Sequence, residues 1–366
     1  MIEQYRNTSD FFPLKDRILA FSKLGELLQH LDNAETDLQI SGIPAESTEE
    51  LRNSMRMAGI ANPWFTYENI QYAFQSWAVA LNPASLNDWL ATYKDKLYTS
   101  VPIRRIAVIM AGNIPLVGMH DLLCTLISGN HFTGKLSKDD QILLPALSKQ
   151  LIRIEPRFEE LISFTDGKLG EIDAVIATGS NNTSRYFEYY FGKYPHIIRK
   201  NRNAVAVLDG SEDHALLEAL ADDICLYFGM GCRSVSKIFL PAGYNPLRIL
   251  DACHDFHYKL FSHFKYMNNY TYQKTIMQMN LMRFMDNGTM LMVESPYYSS
   301  PISVLNYEFY DKPDDLRIRL DEDEKLIQCI STNCQGFRSV LPGFSQKPEL
   351  WDYADGIDTL KFLLEV

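Results

Sequence analysis

The chain has 366 residues, 46% of them hydrophobic and 22% charged, and its formal net charge is -11. This length exceeds one compact core and suits two domains or three, while the apolar content excludes global disorder. The negative net charge excludes nucleic acid as the main partner, because binding to phosphates requires a basic surface.

Three features of the sequence predict the location of the protein. The N-terminus, MIEQYRNTSDFFPLKD, has neither the basic stretch nor the apolar run of a signal peptide. No apolar run approaches the ~20 residues that cross a bilayer. The six cysteines form no C-x-x-C pair, which favours a reducing compartment. We therefore expect a cytoplasmic protein without a membrane span.

Residues 1–97 are predicted to form a helical region, because apolar residues recur at helical spacing from residue 14 onward. From residue 104 the pattern changes to a strand (RRIAVIMAG), a helix (LVGMHDLLCTLISG) with Pro115 in its first turn, and a strand (NHFTGKL). This order predicts a parallel sheet, and its repetition to residue 240 predicts one open, doubly wound α/β sheet. Beyond residue 292, two predicted strands flank an acidic surface loop, DKPDDLRIRLDEDEK.

Asn113, in Gly112-Asn113-Ile114-Pro115, follows the first predicted strand. Ligands of open α/β sheets bind outside the carboxyl ends of the strands, so the Asn113 amide could donate to a developing oxyanion. The simpler interpretation is that Asn113 caps the following helix. The tetrapeptide alone favours the cap, and no G-x-G-x-x-G fingerprint is present.

Cys232 lies in a Gly-Met-Gly-Cys-Arg-Ser stretch between a predicted helix and a predicted strand. The glycines let the backbone approach a substrate, and Arg233 would favour the thiolate, although a loop cysteine without a role is the alternative. A second turn, at Gly179 and Ser180, precedes a predicted helix that Ser180 caps, and this helix N-terminus would attract a phosphate or hold a nicotinamide ring. Lys135 could reach a ribose or a phosphate, but surface lysines and helix caps are common.

Other patterns favour structural roles. His254, His257 and His263 lack a carboxylate that would complete a metal site, so we predict no metal. The Met and aromatic residues from 258 to 292 could line an acyl channel, although such a stripe is more often core. No G-x-S-x-G nucleophile elbow is present, which argues against a serine hydrolase.

The order of the motifs resembles the aldehyde dehydrogenase superfamily: a strand-GNIP-helix, a strand ending in Lys, a strand-TGS-helix and a G-x-G-C turn. The stretches AGNIPLVGMHDLLCTLISGNHFTGKLSKDDQILLPAL, DAVIATGSNNTSRYFEYYF and LYFGMGCRSVSKIFLP are similar to the LuxC-type acyl-CoA reductases. The resemblance covers about 100 to 240, and extends less specifically to NPWFT upstream and NCQGFRS downstream.

The resemblance implies reduction of an acyl-CoA thioester to an aldehyde. Cys232 corresponds to the family nucleophile, and Asn113 to the residue that forms the oxyanion hole with a backbone N–H. Hydrolytic relatives carry a Glu in a Glu-Leu-Gly-Gly-type motif, whereas the corresponding stretch here reads HIIRKNRNAV. A thioester intermediate without a base to activate water should escape hydrolysis, which favours acyl-CoA reduction over oxidation to a free acid.

The cofactor implied by the resemblance is NADPH, with NADH as the alternative, and coenzyme A is part of the substrate. Lys135 corresponds to the lysine near the adenosine ribose or its phosphate, and Gly179 and Ser180 to the turn beside the cofactor. Glu308, in Tyr307-Glu308-Phe309, is a short match to the Glu that orients the nicotinamide ribose.

The fold implied is aldehyde dehydrogenase-like α/β. We expect the helical region at 1–97 to pack on a cofactor-binding domain at 98–228, followed by a catalytic α/β domain at 229–343 and a C-terminal segment at 344–366. Family analogy also implies a homo-oligomer and an acyl-transferring partner protein. Two alternatives stay open: an acyl-phosphate reductase of the semialdehyde dehydrogenase type, and a non-catalytic acyl-binding subunit of the same fold.

Overall fold

The structure is a computed structural model that describes residues 12–32, 44, 46–97 and 102–366, with the backbone alone at Asn181. The predictions for residues 1–11 lie outside the described residues. The chain divides into two compact units, the first comprising Met1–Lys200 with Glu349–Val366 and the second Asn201–Pro348. The division after Lys200 differs from the expected domain boundary after residue 228, and the end of the chain belongs to the first unit.

The described helices and strands are numbered here in chain order. The α-helices are α1 Leu14–Gln29, α2 Glu46–Ala61, α3 Tyr67–Ala80, α4 Pro83–Ala91, α5 Lys94–Leu97, α6 Met119–Ile127, α7 Leu143–Ile154, α8 Asn181–Phe191, α9 His214–Cys225, α10 Leu247–Ala252, α11 His257–Ser262, α12 Phe264–Met279, α13 Pro313–Glu322 and α14 Thr359–Glu365. The strands are β1 Arg105–Ile109, β2 His131–Lys135, β3 Ile162–Thr165, β4 Ala174–Thr178, β5 His196–Arg199, β6 Asn203–Val207, β7 Val235–Pro241, β8 Met285–Asp286, β9 Leu291–Glu294, β10 Val304–Tyr310 and β11 Ile327–Ser331.

The sheet of the first unit has the strand order β3-β2-β1-β4-β5, and every neighbouring pair is parallel. Its central strand is apolar because helices cover both faces, and Ile106, Ala107 and Val108 have no exposed surface. The strand order reverses between β1 and β4. In doubly wound sheets, ligands bind outside the carboxyl ends of the strands at this reversal.

The sheet of the second unit has the order β11-β6-β7-β10-β9-β8, in which only the short β8–β9 pair is antiparallel. The expectation of one sheet extending to residue 240 is therefore wrong, because β6 and β7 belong to this second sheet. Strands β5 and β6 follow one another across Lys200 with no helix between them, although they belong to different sheets. A strand's own residues do not reveal which sheet it joins.

The N-terminal helices pack against the helices of the first sheet through apolar side chains and one buried cation. Arg17, on α1, is 2% exposed. Its guanidinium donates to the Ile127 carbonyl oxygen at 2.6 Å, at the end of α6. A cation at this position satisfies a free carbonyl and opposes the negative end of the helix dipole.

The acidic segment after β10 is a helix rather than the expected surface loop. Pro313 occupies the first turn of α13, where its missing N–H costs nothing, and Asp314 and Asp315 lie at the positive end of the helix dipole. Leu316 and Leu320, four residues apart, are the buried side chains of this helix. The density of charge in the sequence obscures this narrow apolar stripe.

Candidate active site

The loop between β1 and α6 displays Asn113 at the carboxyl end of the central strand, where its side chain is exposed. The N-cap of α6 is Gly118, so the interpretation of Asn113 as a helix cap is wrong. Pro115 likewise lies in the turn before the helix and not in the first helical turn. Glycine is required at residue 112, because a Cβ there would lie 2.6 Å from the Ser137 Oγ.

A buried carboxylate supports this loop. Leu116 adopts a left-handed backbone conformation, with φ of 62°, which costs energy for a residue with a side chain. Its N–H donates to the Asp140 Oδ2 at 3.3 Å. Asp140 is only 9% exposed, and burial raises its pKa to about 6. The sequence gives no signal for this role, because Lys-Asp-Asp resembles an ordinary solvated stretch.

The buried carboxyl group of Asp140 predicts a pH-dependent stability. Because burial favours the neutral form, the folded pKa of about 6 exceeds the unfolded value of 3.8. The contribution of Asp140 to stability is then greatest at low pH and falls as the pH rises through this window. Asp140→Asn should remove this dependence. The variant should gain about 1 kcal/mol of unfolding free energy relative to wild type between pH 5 and pH 7.

Urea titrations of both proteins at several pH values would measure this gain. Asp139→Asn is the matched control, because the Asp139 side chain is exposed and only its carbonyl oxygen accepts from Asn62. A constant difference between Asp140→Asn and wild type from pH 5 to pH 7 would contradict the prediction.

The other residues predicted in the first unit lie at the same edge of the sheet. Strand β1 pairs with both β2 and β4. Asn113 follows β1, the Gly179–Ser180 turn follows β4, and Lys135 is the last residue of β2. The Lys135 Nζ donates to the Gly167 carbonyl oxygen at 3.0 Å. The Ser180 Oγ accepts from the Thr183 N–H at 3.2 Å, which confirms Ser180 as the N-cap of α8.

The turn that carries Cys232 begins with three consecutive left-handed residues after α9. Tyr227, Phe228 and Gly229 have φ of 52°, 58° and 75°. This conformation is strained at the two aromatic residues, and burial of their side chains compensates for the strain. Phe228 is 2% exposed, and its ring centroid lies 4.3 Å from that of His263. These contacts fix the backbone conformation just before Cys232.

Cys232 itself is exposed, whereas the other five cysteines, all in the described residues, are buried or half-buried. Hydrogen bonds close the turn around it: the Ser234 Oγ accepts from the Gly231 N–H and from the Gln346 Nε2, both at 3.1 Å. The Arg233 guanidinium donates to the Ser345 carbonyl oxygen at 3.5 Å. The thiol is displayed immediately before β7, at the amino end of that strand.

A second buried carboxylate supports the segment that contacts the Cys232 turn. Asp223, on α9, has no exposed surface. It accepts from the N–H groups of Gly343 and Ser345 at 2.9 and 3.0 Å, and from the Ser331 hydroxyl at 2.8 Å. Burial raises the pKa of Asp223. The sequence missed this residue too, since an Asp within a helix is usually solvated.

Glu308 lies on β10 between two cations. Its carboxylate accepts from the Lys237 Nζ at 2.7 Å and from the Arg319 guanidinium at 2.5 Å. Burial acts to raise the pKa of Glu308, but the hydrogen bonds from Arg319 and Lys237 outweigh it and lower the pKa. A ribose hydroxyl would have to compete with these partners, so the cofactor role implied for Glu308 stays a prediction.

The three histidines considered from the sequence do not come together as a metal site. His263 accepts from the Tyr266 N–H at 3.1 Å and so caps α12. His254 and His257 stack on one another, with ring centroids 6.3 Å apart. Throughout the described residues, no group of three or more His, Cys, Asp or Glu side chains is arranged to hold a metal ion. No helix in the described ranges is long and apolar enough to cross a membrane.

Comparison with solved structures shows that the fold is that of the aldehyde dehydrogenases, as the sequence predicts. The indole-3-acetaldehyde dehydrogenase of P. syringae, in complex with NAD+ and IAA, has a TM-score of 0.60 at 14% identity, over 92% of this chain and 76% of that one. Aldehyde dehydrogenase 21 of Physcomitrella patens, in complex with the reaction product succinate, has a TM-score of 0.63 at 12% identity. The match covers 96% of this chain and 84% of that one.

The sequence defines the family within this fold. The sequence model of the LuxC acyl-CoA reductases matches residues 24–253, more than half of the chain, and the protein belongs to this family. A curated relative, the long-chain acyl-protein thioester reductase of Aliivibrio fischeri, is 22% identical over 171 residues. That alignment covers 42% of this chain and 35% of the relative, so the chain spans about a third of the length of the relative it matches. The predicted resemblance is confirmed.

Proposed function

We propose that this protein reduces an acyl-CoA thioester to an aldehyde, with Cys232 as the nucleophile and NADPH as the hydride source. The observation that carries the proposal is the Cys232 turn, which displays an exposed thiol on a backbone fixed by buried aromatic residues. Membership of the acyl-CoA reductase family supports the substrate class.

Cys232 begins the proposed reaction as a thiolate that attacks the thioester carbonyl carbon and forms a carbon–sulfur bond. The Asn113 amide and a backbone N–H donate to the resulting oxyanion. The bond to coenzyme A then breaks, coenzyme A leaves as a thiolate that takes up a proton, and the acyl group remains on Cys232. After two-electron reduction of the acyl carbon, the bond to the Cys232 Sγ breaks, and aldehyde and free thiolate are restored.

The residues of the first unit fit a nicotinamide dinucleotide. The carboxyl ends of β1 and β4 flank the reversal of strand order. The N-terminus of α8, after Gly179 and Ser180, offers N–H groups to an anion, and Lys135 supplies a cation for a ribose phosphate. NADPH, when bound, supplies the hydride. The NAD+ bound by an aldehyde dehydrogenase of the same fold supports this cofactor class, with NADH as the alternative.

The stretch HIIRKNRNAV supports reduction over hydrolysis. It contains no carboxylate to act as a base toward water. The Arg199 side chain of this stretch is buried against Asp121 and offers no base in its place. The acyl group on Cys232 should therefore persist until it is reduced or returned to coenzyme A.

Mass spectrometry of the intact protein tests this proposal. Wild type, Cys232→Ala and Cys334→Ala are each incubated with acyl-CoAs of increasing chain length, without NADPH. We expect an added acyl mass on wild type and on the Cys334→Ala control, but not on Cys232→Ala, and we expect added coenzyme A to reverse it. Absence of the adduct from all three proteins at every chain length would refute the covalent step. An adduct from acyl phosphates alone would favour the acyl-phosphate reductase.

A further inference from the structure

A cleft in the second unit lies beside the Cys232 turn. It contains about 340 Å³ of empty space, part of which is open to solvent. The end of α9, the turn before β7, helices α11 and α12, and the loop that leads into β10 all contribute to its walls. This space is called here the α9 cleft, and its lining includes Phe228, Gly229, Val235, Leu260, Ile302 and Ser303.

The α9 cleft is close to the proposed nucleophile. Gly229 and Val235 both line it, and each is three residues from Cys232, a separation that spans at most ~11 Å of extended chain. The backbone between them is compact, because the Ser234 N–H donates to the Gly231 carbonyl oxygen at 2.9 Å. Gly229 is exposed at the edge of the cleft, and Cys232 is exposed on the same turn. The cleft is therefore within reach of a chain attached to the Cys232 Sγ.

The lining of the α9 cleft carries no charge. No Asp, Glu, Lys, Arg or His is among the described residues that line it. Phe228, Val235 and Leu260 are buried and form an apolar floor. Tyr266 and Met290 also line the cleft, so part of the Met and aromatic stretch from 258 to 292 faces this space. The phosphates of coenzyme A would find no cation here, whereas an alkyl chain gains free energy from leaving water.

Two segments with left-handed backbone conformations border the α9 cleft. The φ angles of Phe228 and Ser303 are 58° and 69°. Such conformations cost energy for residues with side chains, and they are concentrated at active sites and at sites that clamp a ligand. The Asn306 Nδ2 fixes the loop before β10, because it donates to the carbonyl oxygens of Tyr297 and Ser299, both at 3.0 Å. The cleft is thus formed before a ligand enters, which lowers the entropic cost of binding.

We propose that the α9 cleft binds the hydrocarbon end of the acyl group on Cys232 and selects short or medium chains. This inference rests on the proposed function, which places the acyl group on that residue. Small-molecule sites usually have volumes of ~300–1,000 Å³, so this cleft is at the lower end of the range. It suits an unbranched, uncharged chain of up to about eight carbons, and a palmitoyl chain would extend beyond it.

The rate of adduct formation tests this selection of chain length. Acetyl-, octanoyl-, lauroyl- and palmitoyl-CoA are each added at limiting concentration without NADPH, and the acyl adduct is followed by mass spectrometry of the intact protein. In wild type the second-order rate constant should rise about fourfold for each methylene that enters the cleft. The rise should stop before palmitoyl-CoA, because further methylenes remain in water.

Ile302→Trp should block entry to the α9 cleft. Ile302 is half-buried in the loop before β10, so a larger side chain there does not require the core to repack. This variant should lower the rate with octanoyl-CoA at least ~10-fold and leave the rate with acetyl-CoA unchanged, because each buried methylene contributes about fourfold. Ile318→Trp, at an exposed position of α13 outside the cleft, is the matched control and should leave both rates unchanged.

Leu260→Ala should deepen the cleft and admit longer chains. The rate with lauroyl-CoA should increase at least ~4-fold relative to the rate with octanoyl-CoA, since at least one further methylene is buried. Leu250→Ala is the matched control, because Leu250 is equally buried in the same unit but does not line the cleft. Far-UV circular dichroism checks that each variant is folded, and Ile302→Trp decides the question if Leu260→Ala is not.

The outcomes separate this inference from the proposed function. Adducts whose chain-length profile is the same in wild type, Ile302→Trp and Leu260→Ala would overturn the role of the α9 cleft and leave the covalent step intact. A wild type that reacts fastest with palmitoyl-CoA would also overturn it. Absence of an adduct with every acyl-CoA would contradict the proposed function itself, and this inference with it.

Discussion

Cys232→Ser is expected to lower single-turnover reduction of an acyl-CoA by at least ~10³-fold, a loss of about 4 kcal/mol of transition-state stabilisation. Serine keeps the size of the side chain but not its acidity. A serine hydroxyl is far less acidic than a thiol, so it would remain protonated and weakly nucleophilic. Because Cys232 is not among the residues proposed to hold the cofactor, NADPH affinity should not change.

The serine variant should also leave the turn intact. The buried side chains of Tyr227 and Phe228, together with the Ser234 hydrogen bonds, fix the backbone, and none of them involves the Cys232 Sγ. NADPH oxidation is measured with the enzyme in excess over acyl-CoA, alongside fluorescence titration of NADPH. Cys334→Ser, a half-buried cysteine of the same unit, should retain full activity. A Cys232→Ser enzyme with more than a tenth of wild-type turnover would contradict the nucleophile assignment.

Local chemistry made several parts of this structure predictable. The apolar run of β1, the glycines after it and the strand that follows specify a parallel unit from their own residues. Ser180 was identified as a helix cap because its hydroxyl can reach the Thr183 N–H within one turn. The exposed Cys232 was identified because flanking glycines mark a turn in which a thiol remains accessible.

The remaining features depend on contacts distant in sequence. Asp140 and Asp223 support the Asn113 loop and the segment beside Cys232, yet each is an aspartate whose burial is set by elements far along the chain. The change of sheet at Lys200 is invisible for the same reason, since β6 is defined by its partners β7 and β11. The pattern of polar and apolar residues predicts whether a segment forms a helix or a strand. The burial of a polar side chain is decided only when these elements pack together.

The second large effect is expected at Arg199, the last residue of β5. Its guanidinium donates to both carboxylate oxygens of Asp121 on α6, at 2.7 and 2.8 Å, and to the Thr359 hydroxyl on α14 at 2.9 Å. Arg199 and Asp121 are 5% and 3% exposed. Arg199→Met would leave the Asp121 charge buried without its partner, and should lower the unfolding free energy by ~3–5 kcal/mol.

The effect of the unpaired Asp121 charge on stability can be separated from the effect of lost packing around Arg199. If the unpaired charge of Asp121 is responsible, Asp121→Leu in the Arg199→Met background should recover most of the stability, because a buried pair can be replaced by apolar side chains of similar volume. The penalty in Arg199→Met alone should also shrink as the pH falls, since an unpaired buried carboxylate gains a proton more readily. Urea titrations of the three proteins at two pH values measure both effects. A double variant as unstable as Arg199→Met, with a penalty independent of pH, would show that Arg199 acts through packing and not through its charge.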